Sequence, residues 1–241
     1  MFFRKLHQNE LFTLFFTLRY SFASMGLLES RVRIETNMQQ QPKYSEQEMI
    51  TCGKDKTYNQ GCIGGFAFQN AGRYASTFGV VDESCAPYNP SDRTCPDTTG
   101  CQRTYASSDY EYLGGYYGAT TTDGGAAMMT ELATNGPIAI GFMVLDDFSA
   151  YSGGVYVNTA SVSAWNPFVA VNHAVLMVGY GTCDGLNTPD CGNAPDGTPF
   201  WIVKNSWGSG WGLSGYFLIL RGVDEVGCES VPFVAHPAPQ L

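Results

Sequence analysis

The sequence has 241 residues, of which 44% are hydrophobic, 14% aromatic and only 15% charged, with 28 glycines and 12 prolines. This length can bury a substantial core, as one large domain or two lobes, and the composition favours a compact, loop-rich protein that contains strands. The net charge of −9 and the lack of any basic run exclude a nucleic-acid-binding surface, because phosphate contacts need clustered Lys and Arg. No segment reaches the roughly 18 apolar residues that a membrane-spanning helix needs.

Residues 1–18 differ in character from the rest of the chain. Arg4 and Lys5 precede an apolar run at 11–18 (LFTLFFTL), which loosely imitates the charged and apolar regions of a signal peptide. The run is short, however, and Glu10 and Arg19 flank it. The alternative is a poorly structured or misassigned N-terminal extension.

The first half of the chain is predicted to be mainly helical. Apolar residues at spacings of three and four predict a helix over 21–34, with Phe22, Met25, Leu28 and Val32 on its apolar side. Ser45 and Glu48 form a capping box that begins a short helix ending near Cys52. Further helices are predicted over 64–78 and, after a cap at 122–123, up to residue 133.

The second half is predicted to be mainly strands. They are expected over 138–145, 154–157, 173–180, 200–203 and 215–221. Helices therefore dominate the first half and strands the second. The best division lies near residues 114–122, with two lobes that meet at a cleft.

The eight cysteines favour a disulfide framework and an oxidising compartment, because several are closely spaced in loop-rich stretches. A zinc site is the alternative, but the chain has no Cys-x-x-Cys pair and no histidine beside either cluster. The cysteines lie at positions 52, 62, 85, 95, 101, 183, 191 and 228.

Two polar residues accompany apolar runs in the second half. His173 begins the run 173–180 (HAVLMVGY), and Asn205 follows the run 201–204 (WIVK). An imidazole base with a carboxamide that holds its ring in one tautomer is typical of a nucleophile–base–orienter site. Such a site also needs a nucleophile. No cysteine precedes Cys52. The alternative is that His173 is a hydrogen-bonded core residue.

The sequence resembles the papain family of cysteine peptidases over residues 20–241, and within that family it is most similar to the cathepsin C group (dipeptidyl peptidase I). The family motifs lie at 20–26 (YSFASMG), 44–52 (YSEQEMITC), 61–65 (GCIGG), 172–175 (NHAV) and 204–217 (KNSWGSGWGLSGYF). The segments similar to the cathepsin C group lie at 71–79 (AGRYASTFG), 83–88 (ESCAPY), 110–118 (YEYLGGYYG) and 235–241 (AHPAPQL).

This resemblance implies a papain-like two-lobe α+β fold. The helical left lobe would span 19–118 and the β-barrel-like right lobe 119–241, with the active-site cleft between them. Together the two lobes would form one peptidase domain, preceded by the unmatched segment 1–18.

The resemblance also implies that the nucleophile is absent. In the family a cysteine begins the long helix, immediately before the residue matched here by Tyr20, where the helix N-terminus favours thiolate. This chain has Arg19 there, and a guanidinium stays protonated and offers no lone pair to a carbonyl. Ser21 is turned about 100° away by one helix step. The glutamine that donates to the oxyanion in the family corresponds to Thr13, so a foreign or misassigned first segment explains the joint loss better than gradual drift.

Further site residues are implied by the same likeness. His173 would be the base, Asn205 would accept a hydrogen bond from its ring, and Trp207 would shield that bond from water. Gly64 and Gly65 match the segment whose backbone pairs with an extended substrate, since glycine lets another backbone approach closely. The alternative for the two glycines is a plain tight turn.

The likeness implies three disulfides and leaves an anion site in question. The pairs would be Cys52–Cys95, Cys85–Cys101 and, in an insertion, Cys183–Cys191. Cys62 would be a free thiol, because Phe16 replaces its family partner. Phe66 and Tyr112 match the pattern around a bound chloride, but Phe68 stands where a tyrosine is expected.

The ancestral reaction implied is peptide-bond hydrolysis through an acyl-enzyme. We expect no thiol-dependent activity from the chain as written, either because it is an incomplete version of an active enzyme or because it is a non-catalytic peptide-binding pseudopeptidase. The charge of Arg19 should keep His173 neutral. The implied partners are a peptide or protein substrate or ligand, and a separate exclusion domain or self-association, with no nucleic acid, membrane or metal. The implied compartment is lysosomal, endosomal or secreted.

Overall fold

The computed structural model describes residues 19–89, 94–115, 118–159, 171–185 and 189–238. The segment 1–18, with Thr13 and Phe16, lies outside these residues. The α-helices are α1 (Arg19–Glu35), α2 (Glu46–Thr51), α3 (Gly53–Lys56), α4 (Ala75–Phe78) and α5 (Ala126–Thr134). A π-helix, Phe68–Tyr74, leads directly into α4. Short 3-10 turns lie at Gly61–Ile63, Ala119–Thr122, Asp146–Ala150, Pro189–Cys191 and Glu225–Gly227.

Helix α1 confirms the helix predicted over 21–34 and is already helical at Arg19, the first residue that the structure describes. Met25, Leu28 and Val32 are buried as predicted, whereas Phe22 is half-buried and packs edge-on against a tyrosine ring. Burial of this face against the sheet fixes the helix in place, and with it the side chain at its first position.

The predicted capping box at Ser45 and Glu48 is only half formed. The Ser45 hydroxyl accepts from the Glu48 N–H at 3.0 Å, but the Ser45 N–H donates to the Val81 carbonyl rather than to Glu48. The Glu48 carboxylate instead accepts from the Tyr74 hydroxyl and pairs with Arg103 at 2.8 Å. A buried carboxylate needs charge-assisted partners, so tertiary contacts override the local motif.

The helix predicted over 64–78 begins later than expected. Gly64 has φ +146° and ψ 179°, which is not helical. The Phe66 N–H donates to Asn59 Oδ1 at 2.8 Å and holds this stretch as a loop. Helical geometry begins at Ala67. Residues 64–66 are therefore a loop and not a turn of helix.

The N-cap of helix α5 is Gly125, two residues after the predicted cap at 122–123, but Asp123 still bonds backbone at the start of the helix. The Asp123 carboxylate accepts from the N–H of Gly125 at 2.8 Å and from that of Ala127 at 3.1 Å. The helix itself begins at Ala126, because the bonded N–H groups lie two and four residues after the aspartate.

One seven-stranded sheet supports the second half of the chain. Its strands are β3 (Ala106–Tyr112), β4 (Ile138–Phe142), β5 (Val155–Tyr156), β6 (His173–Thr182), β7 (Pro199–Lys204), β8 (Tyr216–Leu220) and β9 (Phe233–Pro237). Their spatial order is β3-β9-β4-β6-β7-β8-β5, and all neighbours are antiparallel except β5 and β8. A separate pair is formed by β1 (Val80–Val81) and β2 (Arg103–Thr104).

Five of these strands confirm predicted ones, with ends shifted by up to three residues, and the α+β class is confirmed. Strands β3 and β9 were not predicted. The sequence of β3 (ASSDYEY) is polar, and β9 is short and ends at a proline, so neither carries a strong strand signal. The boundary at 118/119 stays a prediction, although β3 lies before it and belongs to the same sheet as the later strands.

Two apolar clusters flank the central strands. One packs α1 and the π-helix against residues of β4, β6 and β9. The other lies around Phe142, Phe148, Trp201 and Phe217. The start of α1 thereby meets the start of β6.

The structure contains the disulfides Cys52–Cys95, Cys85–Cys101 and Cys183–Cys191, which are the pairs that the resemblance implies. Cys62 and Cys228 are the other two cysteines. In the part of the chain that the structure describes, no cluster of His, Cys, Asp or Glu is arranged to hold a metal ion. None of the helices described there is long and apolar enough to cross a bilayer.

A buried cation ties α1 to α5. Arg31 is fully buried, and its Nη2 donates to Glu131 Oε1 at 2.6 Å and to the Pro137 carbonyl at 3.0 Å. Burial lowers the pKa of Arg31, and the contact with Glu131 opposes that shift. Glu131 also accepts from Asn135 at 2.8 Å. The carboxylate therefore compensates a desolvated charge at the junction of helix and sheet.

We expect Glu131→Gln to lower the free energy of unfolding by roughly 3 kcal/mol, because it leaves the Arg31 cation buried without its anion. Glu111→Gln, at an exposed position of β3, is the matched control and should change stability by less than about 0.5 kcal/mol. Urea denaturation of both variants measures this. Equal stability of the two would contradict the role given to Glu131.

Candidate active site

The sheet brings His173 and Asn205 together. His173 is the first residue of β6, Asn205 follows the last residue of β7, and these strands are antiparallel neighbours. The distance between His173 Nε2 and Asn205 Oδ1 is 2.9 Å. Both side chains are buried, with exposed fractions of 2% and 7%. The base and orienter predicted from the sequence are therefore in hydrogen-bonding contact.

The orientation of the Asn205 amide determines the tautomer of the ring. Asn205 Oδ1 also accepts from the Ser206 N–H at 2.8 Å, which places the oxygen, and not the amide nitrogen, toward the imidazole. His173 Nε2 must then carry a proton to donate to that oxygen. In the neutral ring this leaves Nδ1 as the basic nitrogen, as a general base requires.

Arg19 lies against the same imidazole. Its Nη1 is 3.2 Å from His173 Nε2, and its guanidinium carbon is 4.6 Å from the centre of the Trp207 ring. The Ser21 hydroxyl donates to the Glu46 carbonyl at 2.8 Å and so is turned elsewhere, as predicted. The side chain beside the base at this helix end is thus a cation with no lone pair to give.

Burial dominates the electrostatics of the His173 ring. It lowers the pKa of His173 well below its ordinary value, the charge of Arg19 lowers it further, and the hydrogen bond to Asn205 raises it. The predicted direction is confirmed, but the main cause is desolvation and not charge repulsion. Burial also lowers the pKa of Arg19 to about 10, partly offset by Tyr88, so Arg19 stays charged at neutral pH.

Trp207 covers the His–Asn pair. Its ring stacks on the His173 ring with centroids 5.5 Å apart and an interplanar angle of 23°. It also packs edge-on against Phe148 and Trp211, which extends the aromatic cluster to the site. An apolar cover of this kind keeps water from the hydrogen bond and strengthens it.

Gly64 and Gly65 lie at the rim of a cavity next to this pair. The Gly64 carbonyl accepts from the Gln60 N–H at 2.8 Å, so this residue closes a tight turn. A Cβ on Gly65 would overlap Asn59 and would come 2.8 Å from Tyr20 Cε2, so only glycine fits. Both glycines line the cavity, where an extended chain could approach.

The cavity has a volume of about 410 Å³ and a mainly apolar wall. His173 and the aromatic residues Tyr20, Phe66, Phe68, Tyr112 and Phe233 are among its lining residues. Sequence reasoning did not assign Tyr20 or Phe233 to the site. Phe233 was missed because β9 was not predicted, and Tyr20 because the motif around it was used only for alignment.

The residues at the suggested chloride site fit a chloride poorly. The Phe66 N–H is already donated to Asn59. Phe68 has no hydroxyl, and its ring stacks on that of Tyr112 with centroids 5.2 Å apart. Two of the expected anion contacts are therefore apolar or already used, and no function is assigned to an anion there.

The pKa of His173 can be measured by NMR, since the chain has only three histidines. We expect the ring to stay neutral at pH values well below the ordinary pKa of histidine. Arg19→Met should raise this pKa without restoring the ordinary value, because desolvation is the larger cause. Arg73→Met, at an exposed position, is the matched control and should leave it unchanged. A return to the ordinary value in Arg19→Met would contradict the order of the two causes.

Comparisons with known proteins agree with this geometry. The family model described as papain family cysteine protease matches residues 19–236. Cathepsin C of Schistosoma mansoni is 43% identical over 216 residues, which cover 88% of this chain and 44% of that protein. Pro-cathepsin H of Bos taurus is 34% identical over 88% of this chain and 57% of its own length.

Solved structures give the same result. Procathepsin L2 proteinase from the larval midgut of Tenebrio molitor has a TM-score of 0.70 at 33% identity, covering 90% of this chain and 60% of that one. The chain spans about half the length of the curated relatives that it matches. The family model, the identities and the shared fold together show that this chain belongs to the papain family of cysteine proteases, as a peptidase domain related to cathepsin C.

Proposed function

We propose that this chain binds peptides in the cleft beside His173 and does not hydrolyse them. The observation that carries the proposal is the contact of 3.2 Å between Arg19 Nη1 and His173 Nε2. Peptide hydrolysis on the family plan needs a thiolate at that position to attack the carbonyl and form an acyl-enzyme. A guanidinium can do neither, whatever the state of the base.

The two glycines and the cavity beside His173 support a peptide as the ligand. Gly64 and Gly65 form a rim without side chains, and the cavity behind it has an apolar wall suited to a large apolar side chain. A separate exclusion domain, or self-association, is the proposed partner that would limit access to this cleft. The three disulfides fit an oxidising compartment, and we propose a lysosomal, endosomal or secreted location.

A second candidate is an active cysteine peptidase. In that case the sequence given is an incomplete version of the enzyme, whose true first segment carries the cysteine and the glutamine. The intact pair of His173 and Asn205, at 2.9 Å, favours it, because a base that is held in the correct tautomer has no use in a pure binding protein. The two candidates differ only in the residues up to position 19, so substitutions there separate them.

We expect Arg19→Cys alone to restore little hydrolysis of a fluorogenic peptide, whereas Thr13→Gln, Phe16→Cys and Arg19→Cys together restore turnover that alkylation abolishes. The single variant should be at least about 100-fold slower, because an oxyanion donor contributes that much to kcat. The triple variant with His173→Ala added is the control and should be inactive.

Three results would contradict this account. Alkylation-sensitive turnover by the unaltered chain would overturn the proposed function. Full activity of Arg19→Cys alone would show that the glutamine is not needed. A folded triple variant without turnover, with its fold checked by circular dichroism, would remove the second candidate.

A further inference from the structure

We infer that the buried side chains of Asn59 and Asn70 hold the rim, Gly64 and Gly65, in register with the cavity, and that Asn70 is a positioning residue for the peptide. Asn70 acts through Asn59 and does not touch the ligand. This inference rests on the proposed peptide-binding function. It identifies what keeps the rim and the cavity wall in a fixed relation to each other.

Asn59 contacts the rim directly. Its Oδ1 accepts from the Phe66 N–H at 2.8 Å, and the residue is buried. A Cβ on Gly65 would overlap that same oxygen. Gly65 and Phe66 both line the cavity. The place of the Asn59 amide therefore determines where the backbone of residues 64–66 lies beside the cavity.

The orientation of the two amides follows from the backbone. Because the Phe66 N–H can only donate, the oxygen of the Asn59 amide must face it. Asn59 Nδ2 then donates to Asn70 Oδ1 at 2.5 Å. Asn70 is fully buried, so a side chain without an acceptor at this position would leave the Asn59 N–H away from water. An unpaired buried N–H costs free energy, and the Asn59 amide would have to move to relieve it.

Asn70 belongs to the element that also carries part of the cavity wall. It lies in the π-helix Phe68–Tyr74, where its carbonyl accepts from the N–H of Ala75, five residues ahead. Phe68 begins this helix, lines the cavity and stacks on Tyr112 with ring centroids 5.2 Å apart. π-Helical turns are rare and occur frequently at functional sites. One helix therefore places both the cavity wall and the anchor of the rim.

A peptide that runs along the rim and inserts a side chain into the cavity needs both parts in register. A preorganised site binds more tightly, because the ligand does not have to order it. The rim follows Asn59, Asn59 follows Asn70, and Asn70 is fixed on the helix that carries Phe68. Loss of the bond between the two amides should therefore let the rim shift relative to the cavity wall.

The test is isothermal titration calorimetry of the full chain with the peptide acetyl-Ala-Leu-Gly-amide. We expect Asn70→Leu to bind at least about fivefold more weakly, because it leaves the Asn59 N–H unpaired. Asn70→Asp keeps an acceptor for that N–H and should bind within about twofold of the unaltered chain, although a buried carboxyl lowers its stability. Gln69→Leu is the matched control on the same helix and should bind as the unaltered chain does, because Gln69 Oε1 accepts no hydrogen bond from the described residues.

Hydrogen exchange of the Phe66 amide, followed by NMR, reports on the rim without any peptide. In the unaltered chain this amide should be protected, because it donates to Asn59. We expect Asn70→Leu to speed its exchange at least about fivefold, and Asn70→Asp to leave it protected.

The outcomes separate this inference from the proposed function. Unchanged affinity in Asn70→Leu would overturn the positioning role and leave peptide binding standing. An equal loss of affinity in Asn70→Leu and Asn70→Asp would also overturn it, because binding would then follow stability and not the hydrogen bond. A lack of binding by the unaltered chain would overturn the proposed function itself. If Asn70→Leu does not fold, Asn59→Ser should show the same fivefold loss, and a Phe66 amide that exchanges like an unstructured peptide in the unaltered chain would overturn the inference.

Discussion

One nitrogen of one ring organises this site. His173 Nε2 lies 2.9 Å from Asn205 Oδ1 and 3.2 Å from Arg19 Nη1. A single ring nitrogen cannot donate to one and accept from the other at the same time. The Ser206 N–H resolves the conflict by fixing the amide oxygen, so the ring donates to Asn205 and the guanidinium lies against a donor. Arg19 therefore acts on this nitrogen through charge and packing, and not as a hydrogen-bond donor to it.

The scaffold does not depend on the side chain at position 19. Helix α1 is held by its apolar face and by the bonds of Arg31 to Glu131 and Pro137. Strands β6 and β7 are held by their ladder and by the aromatic cluster under Trp207. None of these contacts involves the side chain of residue 19. The cleft and its cavity are therefore present with a guanidinium at position 19.

The sequence predicted the polar residues of the candidate site better than it predicted the residues that line the cavity beside them. His173 and Asn205 were recognisable because polar groups beside apolar runs are unusual and the flanking motif is long. Strands β3 and β9 were not, because short or polar strands take their stability from sheet neighbours that the local sequence does not reveal. The cavity wall from β9, including Phe233, was missed for that reason.

Local motifs failed where tertiary partners were stronger. The carboxylate of Glu48 belongs to a buried ion pair and not to its capping box. The shift of the His173 pKa was predicted from the charge of Arg19, but burial is the larger cause, and burial depends on the Trp207 cover and the cavity. Burial follows from the packing of distant segments. Its effect on a pKa is therefore harder to predict from a single sequence than the effect of a neighbouring charge.

The most direct test of the account is intact-protein mass spectrometry after incubation with a thiol-reactive peptidyl epoxide. The account predicts no adduct beyond that formed by a non-peptidyl alkylating agent of equal reactivity, because no thiolate lies beside His173. A single stoichiometric adduct specific to the peptidyl reagent, mapped to Cys62 or Cys228, the two cysteines outside the disulfides, would contradict it.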